Sequence, residues 1–155
     1  MNGMDSPENT LQNEYVRSFY TGRCASISGR STLTYEIGKH EIEGTLHLRI
    51  SSNTGEGVWC KDWVVFQKID AIVLGAQALT AKSFYCLHLG RSINTGGFVL
   101  AALRDLGLIR PNGANTRLHE HVPMATLELV LLNPVKPKDR GYAAAKAQRK
   151  AKEGA

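Results

Sequence analysis

Apolar residues recur along this chain in two rhythms, one with a period of two and one close to four. Between positions 31 and 51 the period is two: Leu33, Tyr35 and Ile37 alternate with Thr32, Thr34 and Glu36, and Leu46, Leu48 and Ile50 alternate with Thr45, His47, Arg49 and Ser51. Such alternation marks half-buried strands. The cluster Ser52-Asn53-Thr54-Gly55-Glu56-Gly57 reads as a turn, and a third strand is expected over 58–66, including Trp59 and Trp63. Three antiparallel strands with one apolar face need a cover, which neighbouring helices can supply.

The longer rhythm predicts helices. Ser6-Pro7-Glu8 has the chemistry of a helix start, with a hydroxyl cap, a first-turn proline and then an acid. Leu11, Tyr15 and Phe19, with Val16 beside them, then give an amphipathic helix over 7–20 that Gly22 ends. Its aromatic stripe is read as a packing face, against the body or a second copy of the chain. Further on, Asp70 is positioned to cap a helix whose apolar residues run through Leu79, weakened at Gly75. The run 126–132 reads as a final strand, and Pro134 and Pro137 end the ordered body.

Between these elements, 79–122 has a compound pattern. A short helix carries Phe84 and Leu87 or Leu89 inward and closes at Leu89-Gly90. After Arg91-Ser92-Ile93-Asn94 the Thr95 hydroxyl can cap a second helix, with Leu100, Leu103 and Leu106 on one stripe and Gly97, Ala101, Arg104 and Asp105 elsewhere. Gly107 reverses the chain, Leu108 and Ile109 begin a strand, and Pro111-Asn112-Gly113 turns it back so that Leu118 and Val122 face inward. In this order the segment resembles the winged helix-turn-helix superfamily. The resemblance implies two crossed helices, a β-flap, and a unit that docks on DNA. It covers 79–122 alone, and its residues are packing residues, so it speaks to fold more than to function. The whole is expected to be α+β: a winged helix-turn-helix-like unit joined to an antiparallel three-stranded β-meander, with an N-terminal amphipathic helix.

Composition adds little until charge is divided along the chain. The 155 residues suggest one domain over 1–135, and the 43% hydrophobic content is ordinary for a globular protein. Residues 136–155 hold seven basic and two acidic residues, so they carry the whole net charge of +5 as a flexible basic tail. The body is neutral, yet 79–122 holds Lys82, Arg91, Arg104, Arg110 and Arg117 against Asp105 and Glu120. No apolar run approaches the roughly 18 residues of a membrane span. The polar, mildly acidic N-terminus is wrong for a secretory signal, which points to the cytoplasm. Cys24, Cys60 and Cys86 form no CxxC pair and are expected to be reduced, buried thiols.

These features lead to a non-enzymatic DNA-binding protein, a regulator or accessory factor acting as a dimer. Phosphate contact is expected from Lys82, Arg91, Ser92, Arg110 and Arg117, and base contact from Asn94, Thr95 and Arg104. The glycine-rich, aliphatic opening Thr95-Gly96-Gly97-Phe98 favours an alternative, an interaction module that holds a protein partner. A third reading binds single-stranded nucleic acid on the sheet, with Tyr35, Trp59 or Trp63 as stacking platforms. His119 and His121 alternate on a strand but lack an obvious third ligand, so no metal is expected. The glycine-rich segments precede no lysine-serine/threonine pair, so no nucleotide loop is indicated and no cofactor is expected.

Overall fold

The computed structural model describes residues 14–88 and 94–132. The period-two segments form a four-stranded antiparallel sheet in the order β1-β2-β3-β4: β1 (Val16–Ala25), β2 (Thr32–His40), β3 (Leu46–Asn53) and β4 (Val64–Val65). Leu33, Tyr35, Ile37, Leu48 and Ile50 are buried together on one face, as their alternation requires. The sheet thus has four strands instead of three. The strand expected over 58–66 pairs with β3 only at Val64 and Val65.

β1 corrects the expected helix over 7–20. Residues 7–13 lie outside the described residues, but from Val16 onward the chain is a strand paired along its length with β2, from Val16 opposite His40 to Ala25 opposite Thr32. An irregularity between Ser18 and Tyr20 breaks the alternation and leaves Phe19 exposed. Beyond it the buried positions are Gly22 and Cys24, which carry little hydrophobic signal. Gly22 is required there, because a β-carbon would collide with the Tyr35 ring.

The sheet leads into α1 (Phe66–Val73), a 3-10 helical segment (Ala81–His88), α2 (Asn94–Leu106), the hairpin β5 (Ile109–Pro111) and β6 (His119–His121), and α3 (Leu127–Leu132). Three expectations are corrected here. Asp70 lies inside α1 instead of capping it, and the helix ends at Val73 with Gly75 at φ +78°, well short of Leu79. The run 126–132 is helical: its alternation is too short to exclude a helix, and Thr126 Oγ1 accepts the Leu129 N–H at 3.2 Å, a helix-capping bond. On the hairpin the inward phase belongs to His119, while Leu118 and Val122 are only half-buried.

α2 is the centre of the molecule. It packs most heavily on the 3-10 segment and then on β1, with further contacts to β2, β3 and β5. Ala101 and Asp105, expected on its open side, are buried because the sheet covers that side. Leu79 pairs with His119 through reciprocal backbone hydrogen bonds of 2.8 and 2.9 Å, so the small hairpin sheet is anchored beside α2. No helix among the described residues is long and apolar enough to cross a membrane.

The thiols differ from expectation in one position: Cys24 and Cys60 are buried, but Cys86 is exposed. Burial, with Asp105 nearby, pushes the Cys24 thiol up to about 12, which removes its thiolate at neutral pH. An aromatic disulfide reagent should therefore label one thiol per native chain quickly and all three in denaturant. Rapid labelling of two or more native thiols would contradict this packing.

Candidate anion-binding cleft

The hairpin loop is held by one side chain. Asn112 Oδ1 accepts the Ala114 and Asn115 N–H groups at 2.8 and 3.1 Å, while its Nδ2 donates to the Gln77 carbonyl and to Glu120 Oε1. Asn115 Oδ1 in turn accepts the Arg117 N–H at 3.0 Å. These local bonds are turn chemistry of the kind Asn-Gly sequences favour. They fix where Thr116 and Arg117 emerge.

Behind this loop a cleft of about 390 Å³ opens between α2, the hairpin, the start of the 3-10 segment and the β1–β2 turn. Gly97, Leu100 and Arg104 line it from one stripe of α2, Thr80 and Ala81 from the segment before it, and Pro111, Thr116, Arg117 and His119 from the hairpin. Ile27, from the β1–β2 turn, completes the lining. Two arginines belong to the lining and no aspartate or glutamate does. Two exposed cations belong to the same chain segments: Lys82 follows Ala81, and Arg30 shares the turn with Ile27. Ion pairs to Arg104 and Arg117 are absent among the described residues.

His119 forms part of this lining. It is 4% exposed, and neither ring nitrogen has a hydrogen-bond partner among the described residues. Burial and then the Arg104 charge hold its imidazole below the ordinary 6.5, so the ring is neutral at pH 7. His47, under the opposite face of the sheet, is lowered by burial and by His40. Because the folded values lie below the unfolded ones, the unfolded chain binds more protons as pH falls below 6.5. This contribution to stability is complete above that value and is lost on acidification. Urea unfolding midpoints should fall between about pH 7.5 and about pH 5, and less steeply in the variant His119→Gln. An equal fall in both proteins would show that His119 does not contribute.

The residues expected to touch DNA separate into groups. Arg91 and Ser92, with the turn at Leu89-Gly90, lie outside the described residues, as does the tail 136–155. Asn94 and Thr95 have structural work: Asn94 Nδ2 donates to the Val58 carbonyl at 3.0 Å, and Thr95 Oγ1 accepts the Cys60 N–H at 2.8 Å. They bind the 58–60 loop to the first turn of α2, and Thr95 is buried. Arg110 Nε donates to Glu120 Oε2 at 2.8 Å across the hairpin, an ion pair that competes with any phosphate. Arg104 and Arg117 both line the cleft, and exposed Lys82 follows Ala81 of its lining.

Two of the three proposed stacking platforms are unavailable. Tyr35 is fully buried and donates to Asp105, and Trp63 is buried beneath Arg49, whose guanidinium lies 4.3 Å from its ring centroid. Trp59 is half-buried, edge-on to Phe98, with Nε1 donating to the Ile50 carbonyl at 2.9 Å. His121 is also structurally engaged, since Nδ1 accepts the Gly75 N–H and Nε2 donates to the Ala125 carbonyl at 2.6 Å. No group of three His, Cys, Asp or Glu residues among the described residues could hold a metal ion.

Sequence reasoning missed Ile27, Thr80, Thr116 and His119 as neighbours of the two arginines. Only the alternation of His119 with His121 hinted at an inward histidine, and nothing in the sequence brought Ile27 near it. Compared with known proteins, the chain matches no family model, no curated protein and no solved structure.

Proposed function

We propose that this protein is a non-enzymatic DNA-binding factor that grips the sugar-phosphate backbone of a duplex at the cleft between α2 and the β5–β6 hairpin. The observation that carries this reading is a cleft lined by Arg104 and Arg117 and lacking any carboxylate in its wall, with exposed Lys82 and Arg30 in the chain segments that supply Ala81 and Ile27. Two arginines in one cleft, with no ion pair to either among the described residues, are the chemistry of phosphate recognition. The order of 3-10 segment, α2 and hairpin, with Leu79 bridged to His119, supports the winged-helix reading of 79–122. The role is that of a cytoplasmic accessory factor more than of a sequence reader. Asn94 and Thr95 are committed to the 58–60 loop, so α2 offers few groups for base edges.

The seven basic residues of 136–155 add sequence-independent attraction. Fluorescence anisotropy with duplex DNA across a salt series, for the full chain and a chain ending at Val135, separates the two contributions. Binding by the shorter chain that depends on Arg104 and Arg117 supports the cleft. Binding that vanishes with the tail overturns it.

A second reading, an interface for a protein partner or a second copy, is favoured by other exposed apolar side chains. Met124 and Leu132 are 85% and 75% exposed, with Leu74 and Leu129 also open to solvent. It predicts a complex or dimer that survives removal of 136–155 and is lost in Leu132→Asp.

A further inference from the structure

The cleft is larger and less polar than backbone phosphate alone requires. Two arginines and the hydroxyls of Thr80 and Thr116 would suffice for a phosphate group, yet Ile27, Leu100 and Pro111 also line the space. Ile27 is itself 42% exposed, an apolar side chain held at the tip of a polar turn. The volume of about 390 Å³ falls in the range of small-molecule sites. His119 adds a ring with two unpartnered nitrogens, and a neutral imidazole offers one donor and one acceptor. Its backbone groups are already paired with Leu79, whereas both buried ring nitrogens have no partner among the described residues. A buried polar group left in this state is uncommon in native proteins and calls for an explanation.

We propose that the cleft holds a single nucleotide unit, with its phosphate on Arg104 and Arg117 and its base filling the apolar part toward His119. The base supplies what the remaining lining lacks, a flat apolar face with donors and acceptors along one edge. The unit is either a free nucleoside monophosphate or an unpaired nucleotide at the end of a strand. This inference rests on the nucleic-acid reading given above and narrows it to a defined subsite.

Gly97 provides a way to close the site without altering its charge. A β-carbon at this position would meet only the Ala81 β-carbon at 3.7 Å, an ordinary contact, so Gly97→Leu extends into the cleft while α2 gains a better helix former. Titration of the full chain with AMP, CMP and inorganic phosphate, followed by calorimetry and by the imidazole resonances of His119, tests the assignment. Saturable binding of a nucleoside monophosphate at least about tenfold tighter than phosphate is expected, with a shift of the His119 ring signals. Arg117→Ala and Gly97→Leu should each weaken it by about tenfold or more.

Duplexes with and without a one-nucleotide overhang distinguish the sources. A preference for the overhang that Gly97→Leu abolishes assigns the cleft to strand ends. Monophosphate binding without that preference assigns it to the free nucleotide. Equal affinity for phosphate and nucleotide, or no saturable binding at millimolar concentration, overturns the proposal, as does unchanged binding in Gly97→Leu. If blunt duplex binding by the chain ending at Val135 persists in those cases, the nucleotide subsite alone is wrong. If it is absent as well, the reading of function falls with it.

Discussion

Replacing Tyr35 with phenylalanine should lower the free energy of unfolding by about 2–3 kcal/mol, although it removes a single oxygen atom. Tyr35 lies at the centre of β2 and is fully buried, and its hydroxyl donates to Asp105 Oδ2 at 2.6 Å. That length is typical of a hydroxyl bound to a carboxylate, among the stronger hydrogen bonds in proteins. Burial and then the Asp105 charge hold the phenol far above its ordinary range, so it stays protonated and remains a donor. Asp105 is itself 4% exposed on α2, and without the phenol it keeps its desolvation cost while losing a partner. The bond also joins β2 to α2 across 70 positions of sequence, so its loss is felt by both layers. Asp105→Asn should be milder, since an amide can still accept the bond. Equilibrium urea unfolding of the three proteins measures the difference, and a change below about 0.5 kcal/mol in Tyr35→Phe would show that this bond does not stabilise the fold.

The second large effect concerns DNA. In the chain ending at Val135, the double variant Arg104→Ala/Arg117→Ala should weaken duplex binding by roughly a hundredfold at low salt, about tenfold for each lost phosphate contact. Each phosphate neutralised contributes close to one unit to the slope of log affinity against log salt, so the slope should become shallower by about two. Arg110→Ala should have a smaller effect, because Glu120 already holds that guanidinium. Melting temperature must be compared alongside, since Arg104 is half-buried on α2 and its removal can loosen the helix. Arg117 is exposed, so its single variant reports on binding free of that complication. Double and single variants that bind like the parent chain would remove the cleft from the argument.

What could be read from the sequence follows from where the periodicity is unbroken. Leu33-Tyr35-Ile37 and Leu48-Ile50 keep a strict period of two, and Leu100-Leu103-Leu106 keeps a helical stripe; all lie where that spacing puts them. β1 was hidden because the irregularity at Ser18/Tyr20 shifts its phase and because Gly22 and Cys24 occupy inward positions. The chemistry of a strand was present, but its pattern was split in two. The run 126–132 alternates only over Thr126-Leu127-Glu128-Leu129, too briefly to separate strand from helix, and Thr126 supplies a helix cap. Asp70 looked like a cap because aspartate favours that position, yet α1 begins earlier, at Phe66.

The cleft was legible only in part. Local sequence placed Arg104 and Arg117 near the second helix and the hairpin, as a turn-rich flap after a leucine-striped helix requires. The cleft they line depends on tertiary neighbours: Ile27 comes from the β1–β2 turn, and Thr80 from the segment before the 3-10 helix. The opposite holds for Asn94 and Thr95, whose polar chemistry suggested contact with DNA. The loop 58–60 lies against them, and no local pattern signals a partner 35 or 36 residues away.

Because the sheet covers one flank of α2 and the 3-10 segment covers the other, the segment 79–122 cannot be lifted out as an independent module. Excised, it would leave Ala101 and Asp105 facing water with no sheet to receive them. Transplanting this helix pair into another scaffold would transfer a sequence and lose its shape.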